Sequence, residues 1–415
     1  MESPLPFTLQ IGLCKVLQLH LFSFQLNRLQ IIIQKAIIPL KPCRKMKIDF
    51  LKLSLVFCFL NTIFLSSSQT NVVFGERENS LNQTAVFFDR EGKIYPDYFI
   101  ADSSLQNCDA SLTKWYISHS ADFEKIAKLY NCQFTLSDEQ SISKLNDSIM
   151  SFKIRYINSL TKNNLGLNVL VHGFRKSFKS QSNDRTATQD FLFWDELIET
   201  RGKHNVPSLK VYWDASYDCC FSTNSAKNDS LFEMFEQTYK RTDTVGLALR
   251  SLLNKLDYKQ MNIIGHSLAA KVIQSCVYNV LPNSIPGLAQ NRVNLCLIAP
   301  ATSGGVSWVN YLQRNSSIPS KDNVRLLILY NEKDFALRKK DNKLGFFGPG
   351  ANKYGSTRLG CNKGHEAEKL SLYFAQHFPN SSLKLVDCTK LGRIHSSRFY
   401  FKSVFFNEVI AWIEP

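Results

Sequence analysis

The segment MNIIGHSLAA (261–270) runs a short apolar strand directly into a helical segment, KVIQSCVYNVL (271–281). The junction is Gly265-His266-Ser267-Leu268-Ala269. A sharp strand-to-helix turn lifts its middle residue above the sheet, and its second neighbours on either side must be small because the chain crowds there. Gly265 and Ala269 meet that demand, although the pattern more often ends in Gly. Ser267 would then stand at a helix N-terminus, where N–H groups and the helix dipole favour developing negative charge. The plainer reading is a serine in an ordinary strand–helix turn.

The surrounding pattern fits the first reading. LNVLVHGF (167–174), SLKVYW (208–213), VNLCLIAP (293–300) and VRLLILY (324–330) are apolar strand-like runs. Between them, 230–256 has helical spacing, with Val245, Leu249, Leu252 and Leu253 on one face, and 268–281 reads as a helix ending before Pro282. Apolar strands alternating with helices predict an α/β protein with a mostly parallel central sheet and helices on both faces. At the end of the first strand, His172-Gly173-Phe174 is a candidate anion-binding turn. Acyl transfer needs two N–H groups facing a tetrahedral oxyanion, and those of Phe174 and Leu268 are the candidates.

Taken in order, VLVHGF (169–174), NIIGHSLAA (262–270), VNLCLIAPA (293–301), NKLGFFGPGANKYGSTRLGC (342–361) and GRIHSSRFYFKSV (392–404) resemble the pancreatic-lipase-like lipases and their insect phospholipase A1 relatives. The resemblance covers 151–415 and implies an α/β-hydrolase fold acting on carboxylic esters of lipids. It makes His395 the base, although Ile394 stands where the family has Cys and Ser397 where it has Arg. It also exposes a gap. The family's acid lies in Asp-Pro-Ala, and this chain has Ala299-Pro300-Ala301. Strand 324–330 runs into Asn331-Glu332-Lys333-Asp334, and most α/β hydrolases carry their acid after that strand. Asp334 is therefore the candidate acid, with Glu332 second and a solvated turn residue as the plain alternative. The resemblance further implies a lid closed by a Cys361–Cys388 disulfide. Within it, Ala367, Leu370, Phe374 and Phe378 share helical spacing, suiting either an amphipathic lid or an ordinary helix on the core. The chain ends 20 residues past His395, so a C-terminal β-sandwich is not expected.

Composition sets the wider frame. The 415 residues are 44% hydrophobic and 20% charged, which fits a large folded domain and not a disordered chain. The net charge is +15, and residues 1–69 hold +6 of it. A basic surface suits a lipid interface, but no aromatic-interleaved basic motif suggests nucleic acid. No cofactor or metal is expected, because no cysteine spacing suits zinc. Residues 46–68 carry Lys47 and Lys52 ahead of an apolar run and the small residues Ser66 and Ser68, the layout of a secretory signal peptide. With cleavage, no stable transmembrane span is expected, and the product would be extracellular. Residues 1–45 read as an upstream extension and 70–150 as an N-terminal elaboration. Sequons at Asn82, Asn146, Asn228, Asn315 and Asn380, and eight cysteines after the signal, fit a secreted, disulfide-containing glycoprotein. Two readings follow: a Ser-His-acid lipase acting on triacylglycerol or phospholipid, or a lipase-fold protein that binds or stores lipid without turnover.

Overall fold

The computed structural model describes residues 84–96, 111–134, 137–160, 166–174, 187–202, 206–215, 225–278, 292–302, 324–337, 359–362, 364–377 and 382–414. All of them lie in one compact unit, Phe64–Pro415. In chain order the strands are β1 (Ala85–Phe88), β2 (Gly166–Val171), β3 (Ser208–Trp213), β4 (Gln260–His266), β5 (Arg292–Ile298), β6 (Val324–Tyr330) and β7 (Ser382–Asp387). They form one sheet in the order β1-β3-β2-β4-β5-β6-β7, and every pairing is parallel. The helices are α1 (Leu112–Ser118), α2 (Ser120–Leu129), α3 (Glu139–Leu160), α4 (Ala187–Arg201), α5 (Ser225–Leu253), α6 (Ala269–Val277), α7 (Glu366–His377), α8 (Ser397–Lys402) and α9 (Phe406–Ile413). This is the parallel α/β architecture of the α/β-hydrolase fold. The central strands are buried almost end to end, as a sheet covered on both faces requires.

Two parts of this sheet do not follow from the apolar runs. Strand β1 pairs with β3, so the N-terminal elaboration supplies the sheet's first strand, and the boundary at residue 150 falls inside α3. Strand β7 lies within the segment read as a lid. The same segment contains α7, whose Ala367, Leu370 and Phe374 are fully buried. These residues belong to a crossover helix on the core, so the ordinary-helix alternative describes α7 better than a mobile lid. Phe378 falls outside the described residues.

The expected Cys361–Cys388 bond is absent. Both residues carry buried thiols, with Sγ of Cys361 donating to the Leu337 carbonyl and Sγ of Cys388 to that of Val386. The other described cysteines, Cys132, Cys276 and Cys296, also carry thiols. The signal-like segment and Asn82, Asn315 and Asn380 lie outside the described residues. Asn228 falls in the first turn of α5. Asn146 is half-buried in α3, its Oδ1 accepting from Ile94 N at 2.8 Å, a setting that disfavours a bulky glycan. Among the described residues no helix is long and apolar enough to cross a membrane.

A polar row crosses the sheet near the N-terminal ends of its strands. Asn168, Asn262, Asn294 and Arg325 occupy paired positions on β2, β4, β5 and β6. Asn262 Nδ2 donates to Asn168 Oδ1 at 2.9 Å, Asn294 Nδ2 to Asn262 Oδ1 at 2.8 Å, and Arg325 Nη1 to Asn294 Oδ1 at 3.3 Å. Gln260 and Arg325 also reach the carbonyls of Ile413 and Trp412 at the end of α9. A slip of one residue would turn these side chains to the opposite face and break the row. Asn262→Ala would orphan a buried acceptor on Asn168 and a buried donor on Asn294. The expected loss is about 2–4 kcal/mol of unfolding free energy, measured by urea denaturation.

The first strand is anchored differently. Buried Asp89 accepts from the main-chain N–H groups of Glu91, Lys93 and Leu112 at 2.8–2.9 Å, tying the turn after β1 to the start of α1. Burial pushes its carboxyl up to about 7, against the pull of those donors. The native state therefore holds a proton that the unfolded chain releases near pH 4. This share of stability is full below that pH and is lost as pH rises through 7. Urea midpoints should fall across this window in the wild type and change less in Asp89→Asn.

Candidate active site

Three loops at the C-terminal ends of neighbouring strands build the site. The first follows β4. Ser267 holds φ at +58°, the left-handed region that side-chain-bearing residues rarely occupy. Neighbouring hydrogen bonds hold this strained turn. Ser267 N donates to Ile298 O at 2.9 Å, and Ala301 N donates to Ser267 O at 3.0 Å. Gly265 is required for space, since a Cβ there would strike the side chains of Ile273 and Ala269.

The second loop follows β6. Asp334 is fully buried, and its Oδ1 accepts from Ala336 N at 2.9 Å and Leu337 N at 3.1 Å. Its Oδ2 is 2.8 Å from His395 Nδ1. Glu332 is exposed on the same turn, its main-chain N–H engaged by Thr389 Oγ1. The third loop, between β7 and α8, carries His395, whose Nε2 is 3.0 Å from Ser267 Oγ. The structure thus brings Ser267, His395 and Asp334 into one hydrogen-bonded chain. With Nδ1–H donating to the carboxylate, Nε2 is the nitrogen left to accept the serine proton.

Ala299, where the resemblance places an acid, is a buried residue at φ +45° whose N–H donates to Leu329 O. Its strand pairs with β6, the strand leading to Asp334. The carboxylate therefore enters from the end of the adjacent strand.

The His172-Gly173-Phe174 turn packs against the Ser267 turn. A Cβ on Gly173 would lie 2.6 Å from His266 O and 3.1 Å from Ser267 Cβ, so only glycine fits. His172 orients the turn. Trp213 N donates to His172 Nε2 at 3.1 Å, which leaves Nδ1 to carry the proton and donate to Gly173 O at 2.9 Å. In a trans peptide the C=O and N–H point opposite ways. Holding the Gly173 carbonyl against the imidazole therefore turns the Phe174 N–H away from that ring. Of the candidate donors, Phe174 follows Gly173, which packs against the serine turn, and Leu268 follows Ser267 within that turn.

Two residues with no assigned role in the motif reading also meet the site. His266 Nε2 contacts His395 O, and Asn331 Nδ2 contacts Gly392 O and Ile394 O. Composition gave no sign of either, because their partners are main-chain carbonyls distant in sequence. Among the described residues, no cluster of His, Cys, Asp or Glu could hold a metal ion.

No protein-family model matches the chain, and no curated protein matches it. Among solved structures, a hydrolase from Oleispira antarctica matches over 59% of this chain and 91% of its own, at 14% identity and a TM-score of 0.26. A superposition that loose has no bearing on chemistry, which rests here on the site itself.

Gly173→Ala tests the anion-binding turn. Its methyl group must displace the turn or His266, so labelling of Ser267 by a fluorophosphonate should slow by roughly 10²-fold. Circular dichroism should report the sheet intact.

Proposed function

We propose that this protein is a serine hydrolase that cleaves carboxylic esters, and that its substrates are lipid esters, triacylglycerol or phospholipid. The observation carrying the proposal is the unbroken Ser267–His395–Asp334 hydrogen-bond chain, with separations of 3.0 Å and 2.8 Å. In the proposed reaction His395 takes the hydroxyl proton as Ser267 Oγ attacks the ester carbonyl. Asp334 stabilises the resulting imidazolium, and the amides of Phe174 and Leu268 receive the oxyanion. The proton then passes to the departing alcohol oxygen, leaving an acyl-enzyme. Water, deprotonated by the same imidazole, releases the acid and restores Ser267.

The lipid part of the reading rests on the ordered motifs 169–174, 262–270, 293–301 and 392–404. Secretion rests on the signal-like segment 46–68. The alternative of a lipid-binding protein without turnover drew its support from Ala299. That support weakens once Asp334 meets the base from the neighbouring strand end.

A fluorophosphonate probe should label the wild type and not Ser267→Ala. On a short-chain ester, Asp334→Asn should lower kcat by about 10⁴-fold, because the imidazole loses both its orienter and its counter-charge. Glu332→Gln should leave kcat nearly unchanged. Equal effects of the two substitutions would reject Asp334 as the acid. Absence of labelling in the folded wild type would reject the hydrolase and favour the binding protein. Comparing triacylglycerol, phospholipid and water-soluble esters as substrates then tests the lipid assignment.

A further inference from the structure

Resting on the serine-hydrolase reading, a second layer of the site concerns the backbone that carries the base. The loop from β7 to α8 contains one 3-10 turn, Thr389–Leu391, then Gly392 at φ +78°, and no strand pairing up to the start of α8. A loop of this kind does not by itself fix a Cα position, yet both ring nitrogens of His395 meet partners at hydrogen-bond distance. Three carbonyls of the loop are held by side chains from elsewhere. Asn331 Nδ2 donates to Gly392 O at 2.8 Å and to Ile394 O at 3.1 Å. His266 Nε2 donates to His395 O itself at 2.7 Å. A carbonyl only accepts, so that nitrogen carries a proton and cannot serve as a second base toward Ser267.

The origin of each holding residue is informative. His266 immediately precedes the nucleophile, and its ring lies 4.9 Å from that of His395. Asn331 opens the turn that carries the acid. It is fully buried, its Oδ1 accepts from Lys333 N, its carbonyl accepts from Asp334 N, and its N–H donates to Gly360 O. The main chain of the base is therefore tied once to the serine turn and twice to the acid turn.

We propose that His266 and Asn331 are positioning residues. They clamp the carbonyls at Gly392, Ile394 and His395 so that the imidazole bridges Ser267 and Asp334. Neither touches the reacting atoms, and both act through the placement of His395. A misplacement of about 1 Å is enough to cost roughly 10²-fold in rate.

The test separates reach from polarity. A glutamine amide places its nitrogen near the position of a histidine Nε2, whereas an asparagine amide falls one methylene short. His266→Gln should keep kcat on a short-chain ester within about threefold, and His266→Asn should lower it by roughly 10²-fold with KM nearly unchanged. Asn331→Asp keeps the acceptor for Lys333 N and removes both donors, so it should show the same selective fall in kcat. It decides the matter if His266→Asn does not fold. Equal kcat in the Gln and Asn variants with an unaffected Asn331→Asp, or losses confined to KM, would overturn the clamp.

A second readout does not need turnover. The hydrogen-bonded His395 Nδ1 proton should give a strongly downfield NMR signal, assigned by its loss in His395→Ala. It should persist in His266→Gln and broaden or vanish in His266→Asn. That pattern in a wild type without esterase activity would support the clamp while rejecting the hydrolase. A signal unchanged in both His266 variants and in Asn331→Asp would overturn the clamp whatever the activity.

Discussion

Parallel pairing delivers every strand's C-terminal end to the same side of a sheet, and the site depends on that constraint. Ser267 follows β4, Asp334 follows β6 and His395 follows β7, while β5 between β4 and β6 anchors the serine turn through Ile298 O. The three loops converge only if four neighbouring strands keep their register. The Asn168–Asn262–Asn294–Arg325 row supplies a register mark at the opposite end of three of those strands, β4, β5 and β6. Side-chain amides that satisfy one another across neighbouring strands are intolerant of sliding. On β4, β5 and β6 the polar row and the ends that lead to the site thus lie at opposite ends of the same strands.

Asp334 shows how neighbouring strand ends can serve one imidazole. Adjacent parallel strands end close together, so a carboxylate carried on either can approach one imidazole. At the β5 end, Ala299 holds a left-handed backbone with no side chain able to ionise. At the β6 end, Asp334 occupies a fully buried position and uses both carboxylate oxygens. The two positions differ by one strand, and the geometry asked of the base is the same. An alanine at the β5 end is therefore compatible with a carboxylate partner for His395.

Much of this arrangement was legible in the residues. Strands β2 to β6 follow from continuous apolar runs, and the Ser267 turn from the small residues on either side. The hidden parts have physical reasons. Strand β1 has only four residues, and the polar segment after it masks its pairing with β3. Strand β7 lies at the other edge, where exposure alternates and no long apolar run develops. Cysteines flanking it invited a covalent loop that the structure does not contain. The asparagine row reads in sequence as a polar interruption in each strand, and becomes meaningful only when the strands lie side by side. The carbonyl clamps leave no trace in side-chain patterns, because one partner in each is main chain.

The reduced state of Cys361 and Cys388 has a wider consequence. Among the described residues no disulfide closes the stretch between Asp334 and His395, so the Ser267–His395–Asp334 chain is held there by reversible contacts. Its integrity is then indifferent to thiol reagents that spare buried sulfur, and it answers instead to whatever competes for amide and imidazole donors. Such an assembly can come apart and re-form without rewiring any bond, a property a cross-linked flap would forfeit.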